Sequence, residues 1–209
     1  MEILSHRGLW THLGERNLAV AFNHSFDLGM GTETDLRDYN GEIVIAHDPF
    51  SENAISFRDL LAIMNGRNLT LALNIKSDGL ANEIIEILNE FEHTNYFTFD
   101  MSVPELVKQL KTELNVFTGI SDIAPNPVLM DACEGVWLDC FKSDWYESSY
   151  VDGLLSKNKK VCLVSADLHG RNTQAQWELI AKINQLGSDK LMLCTDKPLE
   201  AKDFFGKKL

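Results

Sequence analysis

The run Thr70-Leu71-Ala72-Leu73-Asn74-Ile75-Lys76 is followed, after only Ser77 and Asp78, by Gly79-Leu80-Ala81-Asn82-Glu83-Ile84-Ile85-Glu86-Ile87-Leu88-Asn89-Glu90-Phe91. The first piece is a short apolar run of strand length. The second sets Leu80, Ile84, Ile87, Leu88 and Phe91 on one helical face. A strand leading directly into a helix is a βα unit, and the pattern repeats outward in both directions. Apolar or β-branched runs recur at 2–5, 30–36, 42–46, 95–99, 115–119, 135–139, 160–165 and 190–194. Between them, residues 18–28 carry Leu18, Phe22 and Phe26 at helical spacing, with Asn17 placed to cap the start and Gly29 to stop it. Ser102-Val103-Pro104-Glu105 reads as a capping box opening a helix with Leu106, Val107 and Leu110. Residues 173–186 bring Leu179, Ile180, Ile183 and Leu186 together before Gly187. Strands alternating with helices imply a parallel sheet. Eight or nine strands favour a single (β/α)8 TIM-type barrel over residues 1–209, with short loops and no insertion domain, over an open sheet. No Gly-rich fingerprint follows the first strand, which counts against a dinucleotide-binding fold.

Composition agrees with one substantial core: 209 residues, 44% hydrophobic and 24% charged. Apolar runs such as Leu69–Ile75 are too short to cross a bilayer, so stable membrane insertion is not expected. The opening Met1-Glu2-Ile3-Leu4-Ser5-His6 has no basic region ahead of an apolar stretch, and a cytoplasmic protein is expected. Cys133, Cys140, Cys162 and Cys194 lack metal-ligand or disulfide spacing and read as buried free thiols. With 19 basic and 31 acidic residues the formal charge is −12. Such a chain repels nucleic acid and anionic lipid surfaces. A small anionic substrate fits only if its pocket is locally cationic, through a metal or a few placed bases.

Barrels of this class carry their chemistry at the carboxyl ends of the strands. The first strand ends in His6-Arg7-Gly8, the second contains Glu33-Thr34-Asp35, the run 42–46 ends in His47-Asp48, and the run 70–76 ends in Asn74-Ile75-Lys76. Side chains two apart on a strand share a face, so Glu33 pairs with Asp35 and Asn74 with Lys76. Each piece alone also fits a duller reading: a strand-end turn, an Asp-Pro turn, a solvated acidic face. Together they set imidazoles, carboxylates, an amide and an ammonium around one opening, an arrangement that calls for a ligand or metal. Asp100, Asp139 and Ser165 stand at later strand ends as further pocket candidates, with helix caps and turns as the competing reading. Ser165, Asp167 and His169 do not read as a hydrolase triad, since no Gly-x-Ser-x-Gly elbow is present.

At these residues the chain resembles the glycerophosphodiester phosphodiesterase family, whose barrel opens with His-Arg-Gly, an Asn-containing helix start, Glu-x-Asp and His-Asp. The matching stretches are Ser5-His6-Arg7-Gly8, Asn17 to Phe22, Leu28-Gly29, Glu33-Thr34-Asp35 and Val44 to Pro49. Later, Ile75-Lys76 matches the end of a Glu-x-Lys element, and Thr195-Asp196-Lys197-Pro198 a Thr-Asp-x-Pro turn. The resemblance implies metal-assisted hydrolysis of a small phosphodiester, with His6 and His47 as the acid–base pair. It implies one divalent cation, Mg²⁺ or Ca²⁺, on Glu33 and Asp35, with Asn74 as a weak third ligand. Arg7 and Lys76 would hold phosphate oxygens, and Asn17 would line the pocket.

This chain departs from that pattern at three places. Asn74 stands where the family has a third carboxylate, Arg16 where it has an acid before the helix Asn, and the segment Pro49–Asn68 is short where relatives commonly carry an insertion. The loss of one negative charge should weaken metal binding. Two alternatives follow: a catalytically weakened barrel that binds a phosphorylated ligand without turnover, and a lyase-like phospholipase relative.

Overall fold

The computed structural model describes residues 1–49 and 54–208. The chain has the expected (β/α)8 fold, with eight parallel strands and helices between them. Its residues gather into two compact units, Ser5–Val116, and Met1–Leu4 with Phe117–Leu209.

The Ser5–Val116 unit holds the end of β1 (Glu2–His6), then β2 (Thr32–Tyr39), β3 (Glu42–Ile45), β4 (Leu71–Ile75) and β5 (Tyr96–Phe99). Strands β5, β4, β2 and β1 lie side by side in that order, and β3 pairs with β2. Parallel register places His6 opposite Glu33, Asp35 opposite Asn74, and Asn74 opposite Phe99. Residues in register, and residues two apart, project to the same side. His6, Glu33, Asp35 and Asn74 therefore share one face. The opposite face is turned to the helices: Ser5 Oγ lies 2.7 Å from Ser25 Oγ on α1 (Ala19–Asp27). Helices α2 (Phe57–Met64), α3 (Ala81–Glu90) and α4 (Val103–Gln109) complete the unit, with Phe22, Phe26, Phe57, Leu60 and Ile84 buried between layers.

Three expectations are corrected here. The run 42–46 is not another parallel strand: β3 runs antiparallel to β2, with Leu36 opposite Ile45 and Tyr39 opposite Glu42. Asn40 and Gly41 join them with φ of 51° and 83°, a tight hairpin turn. Asn17 does not cap α1; Leu18 is the capping residue, and only backbone groups close that helix end. Ser102 Oγ does accept from Glu105 N at 3.3 Å at the start of α4, but Val107 faces solvent while Glu105 and Gln109 are buried. Thr98 Oγ1 donates to Gln109 Oε1 at 2.7 Å, a polar contact that outweighs the apolar stripe.

The other unit holds the start of β1, β6 (Phe117–Ile120), β7 (Gly135–Leu138), β8 (Lys160–Val164), β9 (Leu191–Thr195), and helices α5 (Ser148–Ser156), α6 (Gln174–Ile180) and α7 (Pro198–Gly206). Strands run β1, β9, β8, β7, β6 across it. Its core joins Ile3, Leu138, Val151, Leu163, Ile180 and Phe205. Gly135 permits close strand packing, because a Cβ there would meet the Phe117 ring at 2.5 Å and the Lys160 carbonyl at 2.6 Å. No helix separates β6 from β7, where Pro125 and Pro127 stand in an exposed loop. The helix read over 173–186 stops at Ile180. Asp152 takes the Asn184 and Gln185 amide hydrogens at 3.1 Å each, removing them from helical pairing. All four cysteines are buried and free, as expected. Among the described residues no helix is long and apolar enough to cross a membrane.

Candidate active site

Every residue of the expected catalytic set lies in the Ser5–Val116 unit. His6 ends β1, its carbonyl accepting from Trp10 Nε1 at 3.1 Å, and its Nε2 stands 3.7 Å from Glu33 Oε2. The chain then turns sharply. Arg7 has φ 59° and Gly8 φ 84°, and a Cβ on Gly8 would lie 2.7 Å from the Ala21 backbone. Only glycine fits that approach. The turn is held by Arg7 N donating to the Glu33 carbonyl at 2.9 Å and Gly8 N to Thr32 Oγ1 at 2.9 Å. It carries the Arg7 side chain back, Nε 2.9 Å from Asp35 Oδ2.

Asp35 is the hub, fully buried. Asn17 Nδ2 donates to its Oδ2 at 2.9 Å, while Asn17 Oδ1 accepts from Thr34 Oγ1 at 2.9 Å. Asn17 itself sits at φ 60°, so its backbone is bent to deliver that side chain. Lys76 Nζ lies 3.4 Å from Asp35 Oδ1 and 3.6 Å from Asp100 Oδ2 at the exposed rim. Asp35 thus meets cations on both oxygens.

His47 arrives by the hairpin. Because β3 runs back along β2, Ala46 N donates to the Asp35 carbonyl at 3.0 Å, and the next residue is His47. Arg37 Nη2 donates to the His47 carbonyl at 3.0 Å. The His47 side chain is 46% exposed and its Nδ1 lies 2.8 Å from Asp48 Oδ1. That hydrogen bond holds the Asp48 carboxyl below its ordinary range. Residues 50–53 of the short Pro49–Asn68 segment lie outside the described residues.

Glu33 is 98% buried: 2% of its surface meets solvent. Burial first, and the Asp35 charge second, push its carboxyl up to about 7, against the opposing pull of His6, Arg7 and Lys76. Three oxygens in this cluster are buried and make no hydrogen bond: Asn74 Oδ1, Glu33 Oε2, whose neighbour is the His6 ring at 3.7 Å, and Asp35 Oδ1, whose neighbour is the Lys76 ammonium at 3.4 Å. Each belongs to one of the three residues expected to hold a cation. Orphaned acceptors are costly, and a hard cation satisfies oxygen ligands of this kind. The residues therefore fit a divalent ion, through two carboxylates and an amide. Among the described residues no three His, Cys, Asp or Glu side chains form a metal-holding group.

Asp139 and Ser165 belong to the other unit. Ser165, expected to line a pocket, is instead fully buried and accepts from Trp177 Nε1 at 2.9 Å. Asp167 accepts from Thr195 Oγ1 at 2.9 Å and Asp196 N at 2.7 Å, and His169 bonds Asp139, so Ser165, Asp167 and His169 form no triad. Two residues that steady the site were not anticipated, Trp10 and Arg37. Arg37 follows Asp35 by two positions on β2, so alternation alone pointed to it.

The fold and the strand-end cluster define a (β/α)8 protein with paired acids, cations and histidines at the carboxyl ends of its first strands. No family model matches the sequence, and no curated protein matches it. Solved structures do. The chain is similar to a glycerophosphodiester phosphodiesterase from Agrobacterium tumefaciens, with TM-score 0.71 and 16% identity, covering 100% of this chain and 98% of that one. It is similar to a phosphodiesterase from Oleispira antarctica solved with the product sn-glycerol-3-phosphate, with TM-score 0.72 and 15% identity over 99% and 97% of the two chains. A glycerophosphoryl diester phosphodiesterase from Parabacteroides distasonis gives TM-score 0.66 and 12% identity over 99% and 86%. At these identities the likeness is one of fold.

Proposed function

We propose that this protein is a phosphoric diester hydrolase acting on a small glycerol- or sugar-phosphodiester with one divalent cation, Mg²⁺ or Ca²⁺. The observation that carries the reading is the trio of buried oxygens on Glu33, Asp35 and Asn74 that no hydrogen bond satisfies, beside two cationic side chains. Glu33, Asp35 and Asn74 would hold the ion, which would supply positive charge to offset that of the phosphate. Arg7 and Lys76 bind and orient the phosphate, Arg7 offering planar donors and Lys76 a point charge. His6 and His47 move the protons, one drawing a proton from the attacking nucleophile, a water or a hydroxyl of the substrate whose cyclic ester water then opens, and the other giving one to the leaving alkoxide. Imidazole suits either task near neutral pH. Asn17 holds Asp35 in place while Arg7 and Lys76 turn toward substrate.

The test is hydrolysis of a panel of glycerophosphodiesters and a nitrophenyl phosphodiester with Mg²⁺ or Ca²⁺ present. Release well above that of His6→Ala and His47→Ala is expected; release equal to theirs would end the proposal. A second reading, a barrel that binds a phosphorylated ligand without turnover, draws on Asn74 and on the cations already seated against Asp35. Calorimetry separates the two. Metal binding that Asn74→Glu tightens supports the hydrolase, whereas ligand binding indifferent to chelator supports the binder.

A further inference from the structure

A cavity of about 190 Å³ lies in the Ser5–Val116 unit where α3 ends and β5 begins. This is the amino end of the strands, whereas the catalytic set stands at their carboxyl ends, and the two share no residue. His93 forms part of the cavity wall and is only 5% exposed. Its Nε2 donates to the Asn95 carbonyl at 3.1 Å. A carbonyl only accepts, so the ring hydrogen stands on Nε2, and Nδ1 keeps a lone pair while the ring is neutral. Burial lowers the pKa of the ring, against the lesser pull of that carbonyl, and keeps it neutral at pH 7. Among the described residues Nδ1 has no hydrogen-bond partner. Unlike Asn74 Oδ1, it is not sealed from solvent.

The rest of the wall is also rich in acceptors. Asn89 Nδ2 donates to Glu113 Oε1 at 3.4 Å, and Asn115 Nδ2 to the Tyr96 carbonyl at 3.2 Å. Each amide thus spends a hydrogen on the protein and keeps its oxygen as an acceptor. The exposed Glu113 carboxylate adds a negative charge at the rim. Burial first, and that charge second, raise the Tyr96 phenol above its ordinary value, which places the carboxylate close to the ring. Leu88 and Asn89 belong to the last turn of α3, the negative end of the helix dipole. Among the described residues no lysine or arginine lines the cavity. Ile85, Leu88 and the Tyr96 ring give it an apolar side.

A bare imidazole nitrogen, a carboxylate, two amide oxygens and a negative helix end suit a cation that carries several N–H donors. The apolar side suits a short hydrocarbon tail. The volume is below the roughly 300–1,000 Å³ of pockets for drug-sized ligands, so the occupant has only a few heavy atoms. We infer that this cavity binds a small primary alkylammonium, its N–H groups on His93 Nδ1 and Glu113 and its chain along Leu88 and Tyr96. The formal charge of −12 favours the approach of such a cation.

The test follows the imidazole nitrogens of the full chain by NMR at pH 7 during titration with propylammonium, tetramethylammonium, propanol and acetate. Tetramethylammonium has the charge without an N–H, propanol the chain without the charge, and acetate the opposite charge. A saturable shift of His93 Nδ1 with propylammonium alone is expected, its affinity weakened roughly three- to tenfold in Glu113→Gln. Glu113 is exposed, so this variant keeps the fold where a change at the buried His93 could disturb it. An equal shift with tetramethylammonium, propanol or acetate would overturn the assignment. So would a propylammonium response unchanged in Glu113→Gln, or none at all.

Discussion

Glu33 is buried beside a second carboxylate, and the consequence is measurable. Its carboxyl is pushed from 4.5 to about 7, so between those values the folded chain holds a proton the unfolded chain has lost. Stability from this group is complete below pH 4.5 and falls as pH climbs to about 7. Glu33→Gln removes the dependence. It should be more stable than the parent at pH 8, by at most roughly 3 kcal/mol, and little different at pH 4.5, read from urea midpoints at the two pH values. Saturating Mg²⁺ or Ca²⁺ should narrow the difference at pH 8 by favouring the ionised form. Asn17→Ala should cost about 1–3 kcal/mol, since it strips partners from Asp35 and Thr34 together. Equal midpoints for Asn17→Ala and the parent would deny Asn17 its bridging role. These residues were unequally legible. Alternation exposes Glu33, Asp35 and Asn74 directly, because strand period is local. Asn17 reads as a helix cap because asparagine suits caps, and only the long-range partner Asp35 tells the two uses apart.

At the scale of the element, the β2–β3 hairpin shows what period leaves out. Apolar runs mark strands but not their direction, so 42–46 reads like its parallel neighbours. The direction was nonetheless written in Asn40-Gly41, the dipeptide of a two-residue turn with both residues at positive φ. Reversal of the chain there is what returns Ala46 to the Asp35 carbonyl, with His47 the next residue. Gly41→Val should therefore damage function more than folding. A β-branched residue at φ 83° is expected to cost on the order of 1–3 kcal/mol and to lower kcat toward that of His47→Ala. Stability loss with kcat unchanged would mean that the hairpin does not set His47. The shortened α6 has a different cause. Its apolar spacing continues through Leu186, but Asp152 competes for the amides, and a carboxylate from another helix is invisible to a local window.

The whole molecule sets a cationic nest in an acidic chain. The (β/α)8 class was legible because it is the sum of many local alternations, each independent of the others. Charge is different, since a total of −12 says nothing about where the positive groups lie. Arg7 and Lys76 flank Asp35, and Arg37 holds the His47 backbone, so three of the 19 basic residues stand within one cluster. On the proposed function, an approaching phosphodiester would meet net repulsion at long range and attraction only at contact. Salt screens the first more than the second, because exposed charges beyond a Debye length of about 10 Å are shielded while partly buried contacts are not. Raising ionic strength from low salt to about 0.15 M should therefore raise kcat/KM for an anionic phosphodiester, by a factor of about two to ten. The gain should appear in KM, with kcat unmoved, since the repulsion acts on encounter. Lys76→Gln should leave that salt dependence nearly intact while lowering kcat/KM at every salt concentration, because the contact charge is lost and the field of the chain is not. A kcat/KM that falls with salt in the parent, and stops falling in Lys76→Gln, would instead show that the local cations govern encounter as well as binding.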